Sequence, residues 1–156
     1  GEHYSPGMFT PCNSMITLDT GMTVTLISPD YPGPYPALTF CRWLYQGSSE
    51  EVEMMISCEE FDLEPDAGEG LCWLGDYLQI TKSADFEDFE MYCGDVGPSG
   101  VVSKWIEAKF WSNIWNNEFD GFNCTITAVA NTGNSTSGGS IDVSSSLPPP
   151  VSSQTK

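Results

Sequence analysis

Residues Ser28–Pro36, SPDYPGPYP, followed five residues on by Cys41-Arg42-Trp43, constrain this chain more than any other stretch. Each proline fixes its own φ and pushes the residue before it towards extended geometry. Two Tyr-Pro pairs with a Gly-Pro between them therefore exclude a helix and dictate a stiff loop. Cys41 and Trp43 lie two apart, which on a strand puts both on the same side. The segment reads as a rigid loop tied to a core by the strand that follows it.

The remaining pattern is strand-like. Val24 and Leu26 alternate with threonines, and Val52, Met54, Ile56 and Cys58 alternate with Glu53, Met55 and Ser57. Tyr77-Leu78-Gln79-Ile80 is a short strand, and Ile106, Ala108 and Phe110 alternate with Glu107, Lys109 and Trp111. Phe122, Cys124 and Ile126 close the series against Asn123 and Thr125. Short period-two runs broken by Gly, Pro and Asp predict an all-β sandwich, with no amphipathic helix and no internal repeat.

A length of 156 residues allows one domain plus tails. We expect a flexible N-terminal segment over 1–11, the folded domain over 12–130, and a disordered linker or stalk over 131–156. This last stretch is Ser/Thr/Gly/Pro-rich with almost no apolar content, too little to offset the entropy of ordering it. The chain starts at Gly1 without a cationic, apolar leader, so the expectation is that any signal peptide has been removed. No apolar run reaches the roughly 18 residues that a membrane-spanning helix needs.

The formal net charge is -17, from 22 acids against Arg42, Lys82, Lys104, Lys109 and Lys156. Such a surface repels phosphate backbones, which excludes nucleic acid as a partner, and favours cations or basic protein side chains. The six cysteines contain no CxxC pair, and the single histidine, His3, is near the N-terminus, so a Cys/His zinc site is not indicated. An even count at wide spacing points to disulfides and an oxidising compartment, with connectivity left open by spacing alone.

Cys12, SPDYPGPYP, Cys41-Arg42-Trp43, Phe61-Asp62-Leu63-Glu64, the Cys72–Ile80 segment with Asp76 and Leu78, Tyr92-Cys93-Gly94, Ile106–Phe110 and Gly121-Phe122 follow one another in that order. Singly these are weak signals. Together, over about residues 12–129, they resemble a CUB domain, an extracellular, CUB-like antiparallel β-sandwich of jelly-roll type used mainly for binding. The resemblance implies bridges Cys12–Cys41 and Cys72–Cys93. Cys58 and Cys124 remain, both on core-facing sets, and we expect a third bridge, Cys58–Cys124; the alternative is two separate buried thiols.

Many members of that family bind Ca²⁺ through three acids braced by a tyrosine. By position the resemblance implies Glu64, Asp76 and, where the third acid usually stands, Asn113, with Tyr35 as the brace. Asn116 is a further neutral oxygen donor, and Asp62, Asp66 and Asp120 are acids that the motif does not place. The alternative is an acidic loop cluster without metal. In ligand-binding members such carboxylates capture a partner's lysine, so the implied partner surface is Tyr35, Glu64 and Asp76, flanked by Trp111 and Trp115, at least one of which is expected to be exposed.

No catalytic constellation is legible: the one histidine lies outside the strand pattern, and Asp62 and Glu64, two apart on a strand, do not face each other across a substrate. The leading expectation is a secreted, non-catalytic, Ca²⁺-dependent protein-binding module of a larger extracellular protein such as a CUB-bearing protease. The alternatives are a stand-alone carbohydrate or surface binder resembling spermadhesins, and a structural subunit of an extracellular assembly. Sequons at Asn123 and Asn134 mark candidate glycosylation sites.

Overall fold

The computed structural model describes residues 8–66, 70–85, 87–115 and 118–131. One sheet orders β1 (Met8–Phe9), β3 (Thr23–Ile27), β10 (Gly121–Ala130), β5 (Val52–Asp62) and β8 (Ser99–Ser103). The other orders β2 (Ser14–Leu18), β4 (Phe40–Gly47), β9 (Trp105–Trp111), β6 (Tyr77–Thr81) and β7 (Phe89–Tyr92). Two edge pairings, β1 with β3 and β2 with β4, are parallel, and the rest are antiparallel. The only helical turn among the described residues is a 3₁₀ turn at Cys72–Leu74.

Alternation gives each sheet one apolar face, and burying those two faces against each other makes the core. Val24, Leu26, Met54, Ile56, Phe122 and Ile126 come from the first sheet, and Trp43, Tyr45, Leu78, Ile80, Ile106 and Phe110 from the second; all are at most 1% exposed. Phe122 meets Phe110 edge-on at 5.3 Å and Trp43 at 6.2 Å, so aromatic contacts join the two sheets. Such pairs contribute about 1 kcal/mol each beyond their buried area.

All three expected disulfides are present, and no described cysteine is free. Cys58 and Cys124 stand directly opposite each other in the β5–β10 ladder, beside a register shift at Asn123/Cys124. The bridge therefore links neighbouring strands of one sheet.

The structure differs from expectation in two places. Residues 8–10, assigned to a flexible N-terminal segment, are folded. Thr10 is buried; its N–H and hydroxyl both donate to the Thr25 carbonyl at 2.9 and 3.1 Å, its hydroxyl shares a 2.7 Å bond with the Tyr45 hydroxyl, and its carbonyl accepts Trp43 Nε1–H at 3.1 Å. One residue thus satisfies polar groups of both sheets, which composition does not reveal. Glu107, placed by alternation among outward residues, is outward yet 1% exposed. It is ion-paired with Arg42 Nε, and Lys109 Nζ stands 3.8 Å from its other oxygen. Of the expected tail, Asn131 donates its N–H to the Glu51 carbonyl at 2.6 Å, and 132–156 lie outside the described residues.

Candidate functional site

The proline-rich loop delivers Tyr35 into the end of the sandwich. At its start Ser28 is fully buried, and its hydroxyl accepts the Phe122 N–H at 3.0 Å. Gly121 makes that approach possible: at φ +94° it sits where any Cβ would collide with the Ser28 side chain. The Tyr31–Pro32 peptide is cis. Tyr35 is 2% exposed and packs edge-on to Phe110 at 5.0 Å.

Around the Tyr35 hydroxyl three segments converge. It donates to Asp76 Oδ2 at 2.7 Å and accepts the Glu64 N–H at 3.2 Å. Glu64 Oε1 accepts both the Asp76 N–H at 3.0 Å and Asn113 Nδ2–H at 2.9 Å. The Asn113 N–H donates to Asp76 Oδ1 at 2.7 Å. Gly75 lets the Glu64 carboxylate lie against the backbone, since a Cβ there would stand 2.5 Å from Oε1. Asn113 is held from the other side: its carbonyl accepts the Leu38 N–H at 2.8 Å, and the Ser112 hydroxyl donates to the Pro36 carbonyl at 2.8 Å. The result is a cluster whose rotamers are set by neighbouring strand ends.

Burial and the hydrogen bond to Asp76 hold the Tyr35 phenol protonated, well above its usual range, and burial does the same for Tyr45. Tyr92, also pushed up by burial and then by Glu90, rises to about 12 from 10.0. A proton held more tightly in the folded state favours folding below the unfolded value and ceases to do so as pH rises through the folded one. Stability is therefore expected to be flat in this respect up to about pH 10 and to fall above it, with Tyr35→Phe flattening part of that fall. Thermal unfolding across alkaline pH checks this; an unchanged midpoint well above pH 10 would count against it.

Tyr35, Glu64, Asp76 and Asn113 thus come together, whereas Asn116 and Asn134 lie outside the described residues. Asp62 and Asp120 form a separate pair, the Asp120 N–H donating to Asp62 Oδ2 at 3.1 Å in a cleft shared with Tyr31, Pro32 and Glu60. Trp115 is 67% exposed, with its N–H on Asn113 Oδ1 at 3.0 Å. Trp111 stacks on Tyr77 across the β9–β6 ladder at 5.7 Å. Leu38, Phe40, Trp73 and Ile114 are exposed as well; Leu38 donates its N–H to the Asn113 carbonyl, and Phe40 stands opposite Trp111 in the β4–β9 ladder. Sequence reasoning passed over these: Phe40 opens a strand, where an apolar residue is first read as core and only its odd phase against buried Cys41 and Trp43 signals otherwise, while Leu38, Trp73 and Ile114 lie off the strands, where no period reports exposure.

Two five-stranded sheets, three disulfides and a tyrosine-braced carboxylate pair at one end define a disulfide-bridged β-sandwich module. The CUB domain family model matches residues 12–125, and the chain belongs to that family. It is similar to Complement C1s subcomponent of Rattus norvegicus (33% identical over 88 residues, 54% of this chain and 12% of that protein). It is also similar to Complement C1s-1 subcomponent of Mus musculus (36% over 84 residues, 53% and 12%). The chain thus spans 12% of the length of these curated relatives. Among solved structures it resembles the MASP-1 CUB2 domain bound to Ca²⁺ (TM-score 0.57, 26% identical, covering 74% of this chain and 96% of that one). Rat MASP-1 CUB1-EGF-CUB2 is similar in fold (TM-score 0.59, 23% identical, covering 74% and 42%).

The donors of the cluster are hard oxygens, the chemistry that suits Ca²⁺ and not a thiolate-seeking metal. The Glu64 carboxylate reaches Asp76 at its backbone N–H, and among the described residues no group of three or more His, Cys, Asp or Glu is placed to hold a metal. The Asn113 amide nitrogen lies on Glu64, where an aspartate would offer oxygen. A half-turn of that amide presents Oδ1 instead, at the expense of both the Glu64 Oε1 and the Trp115 N–H bonds. A calcium ion here would be held by Glu64, Asp76 and the rotated Asn113 amide, with one formal charge fewer than a three-acid set.

Proposed function

We propose that this chain is a secreted, non-catalytic protein-binding module whose Glu64–Asp76–Asn113 cluster holds Ca²⁺, with Asn116 as a further donor, and receives a lysine side chain from a partner. The observation that carries this reading is the convergence of Glu64 and Asp76 on the buried Tyr35 hydroxyl. Bound Ca²⁺ supplies charge balance for the two carboxylates and fixes their orientation. Tyr35 holds Asp76 by its hydroxyl, Gly75 seats Glu64, and Asn113 joins the two acids. Carboxylates already fixed in place lose little rotamer freedom when an ammonium arrives, which favours capture. Trp115 and Trp111, exposed beside the cluster, give the partner apolar contact of the kind that dominates interface energetics. The solved Ca²⁺-bound MASP-1 CUB2 domain supports the metal, and the complement relatives support placement in a larger extracellular protein. Asn123, half-buried on β10, and Asn134 are the proposed glycan acceptors.

Calorimetric titration of Ca²⁺ into EDTA-stripped protein is expected to give saturable heat that vanishes in Glu64→Ala/Asp76→Ala. Asn113→Asp, restoring a third carboxylate, is expected to tighten binding by roughly tenfold, because ligand charge sets the affinity of such sites. Absence of heat up to about millimolar Ca²⁺, the weak end for extracellular modules, would end the metal-dependent reading.

A further inference from the structure

A glycosylation sequon usually marks a surface loop, where an enzyme reaches the asparagine without opening the fold. Asn123-Cys124-Thr125 lies instead within β10, between β3 and β5 at the middle of a five-stranded sheet. Asn123 stands opposite Ile27 on one side and Glu60 on the other, and Thr125 stands opposite Thr25 and Ser57. Cys124, between them, is fully buried and bonded to Cys58. The two residues that the motif requires are thus half-buried on the outward side, while the residue joining them is fixed into the core.

Glycan transfer joins the anomeric carbon of an oligosaccharide to Asn123 Nδ2 and breaks its bond to the diphosphate of a lipid-linked donor, the amide proton leaving as well. The transferring enzyme has to enclose a stretch of chain that presents Asn123 and the Thr125 hydroxyl together. Strands of a sheet lie about 4.8 Å apart, which leaves no space for a second protein around a central strand. Core strands open only with most of the fold, so about one molecule in a thousand or fewer offers the sequon once folding is complete. Bridge formation acts on the same three residues: the Cys58 and Cys124 thiols give two electrons and two protons to the disulfide of an oxidoreductase. Cys58 lies 66 residues earlier in the chain, so it is already made when Cys124 is added. Thiol oxidation takes seconds or longer, against about 5–20 residues added per second, which leaves an interval in which either reaction comes first.

We propose that closure of Cys58–Cys124 decides whether Asn123 carries a glycan: the asparagine is an acceptor while Cys124 is a free thiol, and the bridge ends that state. The inference rests on the reading of Asn123 as a glycan acceptor and adds what controls it. Glycan first is compatible with folding, because Asn123 points away from the core and its neighbour Glu60 is exposed. The product is therefore two bridged forms. They differ by a glycan on the outer face of this sheet, next to the cleft that Glu60 lines with Tyr31 and Asp120.

The test expresses the full chain behind a secretion signal, with Asn134→Gln so that a single sequon is read. Occupancy is the fraction of newly made, pulse-labelled protein that loses mass on treatment with a peptide N-glycosidase; reading it in whole-cell extract includes variants that fail to leave the cell. Cys58→Ser leaves all three sequon residues intact and removes only the partner of Cys124. It is expected to raise occupancy roughly twofold, towards completion, because the competing reaction is gone. Cys72→Ser/Cys93→Ser removes a bridge that does not touch β10 and is expected to raise it less. Equal occupancy in Cys58→Ser and its parent overturns the proposal while leaving Asn123 an acceptor. So does an equal rise in the Cys72/Cys93 variant, which would reflect slower folding in general. No glycan at Asn123 in any of these forms overturns the acceptor reading itself.

Discussion

Asp76→Ala is expected to destabilise the folded protein by about 3 kcal/mol, because it strands a buried donor and a half-buried one at once. Asp76 is 1% exposed, and its carboxylate accepts the Tyr35 hydroxyl and the Asn113 N–H, both at 2.7 Å. With the acceptor gone, the buried hydroxyl carries its desolvation penalty and the half-buried Asn113 N–H a part of one. The hydroxyl can be removed in turn: Tyr35→Phe in the Asp76→Ala background deletes that orphan but takes the acceptor from the Glu64 N–H, so the double variant is expected to lie within about 1 kcal/mol of Asp76→Ala, well short of the sum of the two single losses. Urea unfolding of the wild type, both single variants and the double variant closes the cycle. A loss below about 1 kcal/mol for Asp76→Ala, or strictly additive losses in the double variant, would mean that these bonds contribute little to the fold. The distinction bears on function, since a carboxylate held this firmly is already set for a cation.

Removing the Cys58–Cys124 bridge by Cys58→Ala/Cys124→Ala is expected to lower stability by about 4 kcal/mol in the chain-entropy picture. The bridge spans 66 residues, against 21 for Cys72–Cys93, whose removal is expected to cost about 3 kcal/mol. Both partners sit in the β5–β10 ladder at the centre of one sheet, with Cys124 fully buried and Cys58 packed against the core. The bridge therefore holds together, in the unfolded chain, two segments that the folded sheet requires as neighbours. Guanidinium unfolding of the two cysteine-pair variants tests both size and order. A smaller loss for Cys58–Cys124 than for Cys72–Cys93 would show that loop length is not what governs these bridges here.

Most of the architecture was legible locally. Alternation in Val52–Cys58 and Phe122–Ile126 reports which face is buried, because side-chain direction on a strand has a period of two. The same argument put Cys58 and Cys124 on one core-facing surface and so anticipated their bridge. Tyr35, Glu64, Asp76 and Asn113 were marked by motif resemblance, and the hydrogen bonds among them supply a physical reason for the motif. Alternation failed at Glu107, since it distinguishes inward from outward but not exposed from covered. Arg42 and Lys109 close over that carboxylate from positions 65 residues away and two residues away. It failed likewise at Thr10, where a single residue bonds strands of both sheets.

The sequence by itself determined that this chain forms a β-sandwich with a stiff tyrosine-bearing loop and a strongly acidic surface, because strand period, proline geometry and charge are properties of short segments. The tertiary structure alone decided that Glu64 reaches the Asp76 N–H, that Asn113 turns its amide nitrogen to Glu64, and that Glu107 is covered by Arg42. Each of these depends on the register of strands far apart in the chain, and register is settled only when the two sheets close on a common core.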